Sequence, residues 1–154
     1  MTGLISQIFF RNSAVSDMWR NLCRAACVVP LWGWTVLTVG AVLWLTLSPD
    51  PLPESDVRWF DGADKIVHGL MFLGIYLSAI FDISRKRVLV SPGVLPGVWS
   101  RVNLAGWVLL LGALIELLQP YSGRTCDFVD FVADASGVLA GFSISGVLMR
   151  RLWG

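Results

Sequence analysis

The sequence predicts an all-α, polytopic membrane protein: a four-transmembrane-helix bundle with an N-terminal interfacial helix. Composition is the first ground, since 55% of 154 residues are hydrophobic, 15% are charged and the mean hydropathy is +0.67, well outside the range of an ordinary soluble domain. Apolar runs near spanning length are the second ground. The third is that the charges gather at the ends of those runs, where hydrocarbon gives way to water.

Residues 1–27 form the first predicted unit, a cytoplasmic or interfacial amphipathic segment. There Ile5, Ile8, Phe9, Met18, Trp19 and Leu22 alternate with polar and basic residues, as suits a helix lying in the membrane surface. Residues 28–154 form the second, a four-helix membrane domain. Its first span runs from Val28 to Leu47, about the twenty residues that a crossing helix needs. Arg11, Arg20 and Arg24 precede it, but Leu47-Ser48-Pro49 offers no small-residue cleavage pattern, so a retained helix is expected rather than a signal peptide.

The second span is expected over about Gly62–Phe81 and has a polar entrance made by Asp64, Lys65 and His68, with Asp61 as N-cap. The third begins near Trp99–Leu104 and ends at Gln119, because Pro120 disfavours helical geometry in the residue before it. The fourth covers about Asp127–Met149. Its Ala133, Gly137 and Gly141 recur every fourth residue and flatten one face for close helix packing.

Orientation follows from the distribution of basic residues. Arg11, Arg20, Arg24, Arg85, Lys86, Arg87, Arg101, Arg150 and Arg151 fall on one side of the predicted spans, which the positive-inside rule assigns to the cytoplasm together with both termini. Asp50, Glu54, Asp56, Asp61, Asp64, Arg124 and Asp127 fall on the other. The net charge of +1 lacks the basic excess of a nucleic-acid binder. Cys23 and Cys27 precede the first span and Cys126 lies in a distant loop, so no disulfide framework is expected.

This topology brings the start of helix two, the end of helix three and the start of helix four to one outward face. Candidate ligand-binding residues there are Asp64, Lys65, His68, Glu116, Gln119, Arg124, Asp127, Asp130 and Asp134. Asp64 and His68 are four apart, Glu116 and Gln119 three apart, and Asp127, Asp130 and Asp134 follow an i, i+3, i+7 pattern, so each helix offers one polar stripe. Helix-end chemistry alone would account for Asp61, Asp64, Asp127 and Asp130. It fails for Glu116, near a helix C-terminus, and for Asp134, about two turns inside its helix. Those two acids need partners, and the guanidinium of Arg124 is the candidate, either as a brace between helices or as a ligand contact.

Should the site be catalytic, His68 with Glu116, Asp130 or Asp134 would be the acid-base pair, although no nucleophile motif accompanies them. Histidine and carboxylates suit zinc or manganese, but neither paired-His nor His-x-x-Glu spacing is present, so no metal site and no cofactor are expected from the sequence.

The segments Asp64-Lys65-Ile66-Val67-His68, Ile115-Glu116-Leu117-Leu118-Gln119, and Gly123-Arg124 followed by Asp127 through Asp134 with Gly137 and Gly141 resemble, in order and spacing, the VanZ-like family of small bacterial membrane proteins, named for a protein associated with teicoplanin resistance. The likeness covers roughly Trp44 to Gly146. Two positions depart from it: Asp134 stands where the family usually has asparagine, and Gly69 where an aromatic is common. The resemblance implies a bacterial inner-membrane protein acting at the cell envelope, with His68, Glu116, Gln119, Arg124 and Asp130 as the matching polar residues.

The expected function is recognition, in an outward-facing polar pocket, of the head group of a lipid-linked wall precursor or lipoglycopeptide, with an effect on glycopeptide resistance. The alternatives are an intramembrane hydrolase or transferase acting on such a lipid, and a small scaffold for a larger membrane partner. A homo-oligomer is compatible with each.

Overall fold

The computed structural model describes residues 29–48, 63–91, 94–123 and 127–153, and these are helical apart from short connections. The helices are α1 (Gly33–Leu47), α2 (Ala63–Val90), α3 (Val98–Leu118), a 3₁₀ turn (Gln119–Ser122) and α4 (Phe128–Trp153). The expected N-terminal interfacial helix, the Asp61 cap, the acidic residues 50–61, Arg124 and Cys126 lie outside the described residues.

Among the described residues, three helices are long and apolar enough to cross a membrane, over Asp64–Arg87, Val98–Ser122 and Phe128–Arg150. The first expected span, Val28 to Leu47, is shorter than the sequence suggested. Helix α1 has 15 residues, about 22 Å at 1.5 Å per residue, against a hydrocarbon core of roughly 30 Å. Its start is delayed to Gly33 by a turn in which Gly33 N–H donates to the Pro30 carbonyl at 2.9 Å and Trp32 takes a left-handed φ of 70°. The described residues therefore form three candidate spans plus a shorter apolar helix.

Helix α2 corrects the expectation in the other direction by continuing past Phe81 to Val90. Polar residues beyond Phe81 find hydrogen-bond partners within the bundle, although among the described residues Asp82 Oδ1 has only the Arg85 guanidinium, at 3.8 Å. Ser84 donates to the Ile80 carbonyl at 2.7 Å, Asp82 accepts from Thr35 N–H at 3.0 Å and Thr35 Oγ1 at 2.8 Å, and Arg85 reaches the Val29 carbonyl at 2.7 Å. Arg87 donates to Ser100 Oγ at 2.8 Å. Buried polar groups that have partners no longer oppose helix continuation.

Partners at the helix ends define the topology. The start of α1 meets the end of α2 through Thr35 and Asp82, the end of α2 meets the start of α3 through Arg87 and Ser100, and the start of α3 meets the far part of α4 through Arg101 and Ser145. Successive helices thus run antiparallel, and α2 and α4 run the same way. Between them the core contains Phe72, Ile75, Tyr76, Ile80, Val108, Ile115, Val138 and Met149. Val36, Leu37, Ile66, Leu70, Trp107, Leu117, Leu139 and Val147 face outward, the apolar exterior required of helices bounded by lipid.

Helices α2 and α4 cross most closely, and glycine permits it. A Cβ on Gly137 would lie 2.0 Å from the Gly69 carbonyl oxygen, and one on Gly69 would lie 3.3 Å from the Ala133 carbonyl oxygen. The small-residue face of α4 is thus covered by α2.

Candidate functional site

One end of the bundle gathers the first turns of α2, the last turns of α3 and the first turns of α4. Lys65, early in α2, places Nζ 3.0 Å from Asp64 Oδ2, 3.3 Å from Asp127 Oδ2 and 3.1 Å from Asp130 Oδ1. It therefore ties α2 to α4 while leaving Asp64 mostly exposed. Asp127 also accepts the Val129 N–H at 2.9 Å through Oδ1, a capping arrangement at the start of α4. That hydrogen bond first, and Lys65 second, hold the Asp127 carboxyl below its ordinary range.

One turn deeper, His68 sits between two acids of α4. Its Nδ1 is 3.1 Å from Asp134 Oδ1 and its Nε2 is 3.9 Å from Asp130 Oδ2. A carboxylate only accepts, so Asp134 fixes the hydrogen on Nδ1 and leaves the Nε2 lone pair of the neutral ring facing Asp130. Asp134 reaches this position because α3 presents a glycine there. A Cβ on Gly112 would lie 3.2 Å from Asp134 Oδ2 and 3.0 Å from the Phe72 ring.

Glu116 enters from α3. Its Oε2 accepts the Asp127 N–H at 3.2 Å, so an acid close to one helix C-terminus serves the N-terminus of another, where negative charge is favourable. This resolves the partner that the sequence required for Glu116, while His68 is the partner of Asp134. Arg124, the sequence-based candidate for both, lies outside the described residues. Glu116 Oε1 and Asp134 Oδ2 are buried without a hydrogen-bond partner among the described residues. Gln119 is also buried at this end, in the 3₁₀ turn.

Of the residues selected from sequence, the structure brings together Asp64, Lys65, His68, Glu116, Asp127, Asp130 and Asp134. An oxygen of Glu116, an oxygen of Asp130 and a ring nitrogen of His68 all lie within 4.8 Å of one another. The donor set spans three helices, so it leaves no short spacing in the sequence.

Sequence reasoning missed the polar fixings at the opposite end. Arg101 donates to Ser145 Oγ at 3.1 Å and to the Phe142 carbonyl, and its guanidinium lies 4.5 Å from the centroid of the Phe142 ring. Tyr76 Oη donates to the Arg101 carbonyl at 3.2 Å. Asp82 and Arg85 sit three apart on α2, 3.8 Å between charged atoms, and that i, i+3 pairing was the available signal.

No curated protein matches the chain at significance, and no solved structure does. A family model described as VanZ/LLP1 matches residues 3–149, nearly the whole sequence and every residue of the polar end described above. The chain belongs to the VanZ/LLP1 family.

Proposed function

We propose that the polar end of the bundle faces the extracytoplasmic side of a bacterial inner membrane and recognises the head group of an envelope amphiphile, a lipid-linked wall precursor or a lipoglycopeptide. The supporting observation is convergence: His68 of α2, Glu116 of α3, and Asp130 and Asp134 of α4 meet just inside the ends of membrane-length helices. Ionisable groups at such depth are costly and mark sites by default. An amphiphile keeps its chains in the bilayer while its head group enters that end. The basic residues Arg85, Arg87, Arg101 and Arg150 occupy the other end, which supports a cytoplasmic location for it.

The chemistry favours a donor-rich head group. Carboxylates outnumber cations among the described residues of this end, and Lys65 is already engaged by three of them. Sugar hydroxyls and amines fit such acceptors better than bare phosphate does. Lipid mass spectrometry on the protein purified in native-lipid particles tests this, comparing wild type with His68→Ala and Arg124→Ala. A head-group class retained by wild type and lost from both variants at equal membrane abundance supports the reading. Identical lipid profiles in all three oppose it. A parallel measurement of teicoplanin susceptibility in cells expressing each form connects binding to resistance.

A second reading, hydrolysis or transfer on the same amphiphile, is favoured by the His68–Asp134 pair, which orients an imidazole toward further carboxylates as a general base requires. Conversion of the bound lipid to a product of different mass by wild type, and not by His68→Ala, distinguishes it from recognition.

A further inference from the structure

The polar end has a donor set that its hydrogen bonds do not use up. His68 Nδ1 is committed to Asp134 at 3.1 Å, and the lone pair of Nε2 is left pointing toward Asp130 Oδ2 at 3.9 Å. That separation is too long for a hydrogen bond. It is near the roughly 3.3 Å that separates two ligands of one tetrahedral ion bound at about 2.0 Å.

Glu116 completes the set from α3, since one of its oxygens, a ring nitrogen of His68 and an oxygen of Asp130 all lie within 4.8 Å of one another. Glu116 is 5% exposed, and its Oε1 has no hydrogen-bond partner among the described residues. A buried carboxylate oxygen without a donor is expensive. With His68 neutral and its hydrogen on Nδ1, neither Asp130 nor Nε2 supplies a donor to this oxygen, whereas a cation can engage it.

We infer that His68 Nε2, Glu116 and Asp130 bind one divalent cation of the manganese or zinc class. A nitrogen and two carboxylate oxygens match the mixed-donor preference of those ions, whereas magnesium and calcium favour all-oxygen sets. Asp134 acts as a positioning residue. It accepts from Nδ1 and aims the ring, the carboxylate–histidine–metal relay found around many metal-bound imidazoles. Lys65 occupies only the outer oxygen of Asp130, Oδ1, and leaves Oδ2 to the ion. Three protein ligands leave at least one coordination position for water or an incoming oxygen. The ion binds with no amphiphile present, so this inference stands or falls independently of head-group recognition.

The test is titration of the full chain, stripped with chelator and held in lipid nanodiscs, with Mn²⁺ alone, counting free ion by electron paramagnetic resonance. Wild type is expected to bind one ion per chain, and excess Zn²⁺ to displace it. His68→Gln and Glu116→Gln are each expected to weaken binding at least tenfold, and Asp134→Asn by 10- to 100-fold. Ser143→Ala, exposed on α4, should bind as wild type does. Electron spin echo modulation on wild type supplies a readout that needs no variant: coupling to one imidazole nitrogen is expected. Failure of wild type to bind Mn²⁺ above the Glu116→Gln level, or bound Mn²⁺ without nitrogen coupling, overturns the site.

Discussion

His68 Nδ1 and Asp134 Oδ1 stand 3.1 Å apart, joining α2 to α4 through side chains that are only 7% and 1% exposed. Removing either partner leaves the other polar group in a dry interior, and such losses cost about 3–5 kcal/mol. Asp134→Ala and His68→Ala should therefore each destabilise the bundle severely, while the double variant costs less than their sum. The expected coupling is roughly 1–3 kcal/mol, read as a double-mutant cycle from unfolding in mixed micelles. Strict additivity would mean that the two groups do not interact in solution.

Gly137, Gly141 and Gly106 provide a graded test of the helix crossing. A Cβ at 137 meets the Gly69 backbone at 2.0 Å, one at 141 meets the Tyr76 ring at 2.8 Å, and one at 106 meets nothing within 4 Å. Backbone cannot step aside as a ring can, so Gly137→Ala should cost the most, about 2–3 kcal/mol, and Gly141→Ala less. Gly106→Ala should be neutral or stabilising by up to about 1 kcal/mol, since alanine is the better helix former. Thermal unfolding of the three purified variants gives the order, and a costly Gly106→Ala would contradict it.

Acidification should loosen the start of α4 first. The Asp127 carboxyl is held below its ordinary value of 3.8, mainly by the Val129 N–H and next by Lys65. A depressed folded value means stability that is fully present above 3.8 and is lost as pH falls through the lower folded value. In Lys65→Met the Asp127 titration should move only part of the way back, because the larger cause remains. Carboxyl carbon shifts followed by nuclear magnetic resonance measure this. A complete return to the ordinary value would show that Lys65, rather than the cap, controls the group.

The sequence shows which residues meet at the polar end because each stripe obeys helical spacing and each lies at the same end of its span. Asp64, Lys65 and His68 on α2 and Asp127, Asp130 and Asp134 on α4 could be placed together from periodicity and topology alone. The pairings could not. Whether Glu116 meets Arg124, His68 or a backbone N–H depends on side-chain direction and on gaps such as Gly112, which spacing does not encode. Helix boundaries failed where local and tertiary signals conflict. Pro30 and a left-handed Trp32 shorten an apolar run that reads as a full span, while Thr35, by donating to Asp82, lets α2 continue through residues that read as loop.

That Thr35–Asp82 contact is what anchors the short helix α1. Asp82 is fully buried and takes both the N–H and the hydroxyl of Thr35, at 3.0 and 2.8 Å, and the Arg85 guanidinium lies 3.8 Å from its other oxygen. Thr35→Val removes one hydroxyl hydrogen bond to a charged acceptor and should cost about 1.5–3 kcal/mol. Asp82→Ala removes the acceptor for both Thr35 donors and the nearby carboxylate from Arg85, so about 3–5 kcal/mol is expected. The damage should be local. Disulfide trapping between cysteines introduced at Thr38 and Ser78, whose hydroxyls are 2.7 Å apart, should fall sharply in Asp82→Ala while occupancy of the polar end around His68 is unchanged. Trapping at the wild-type rate would place the anchor of α1 elsewhere, in the apolar contacts of Val39, Val42 and Leu43 with the core.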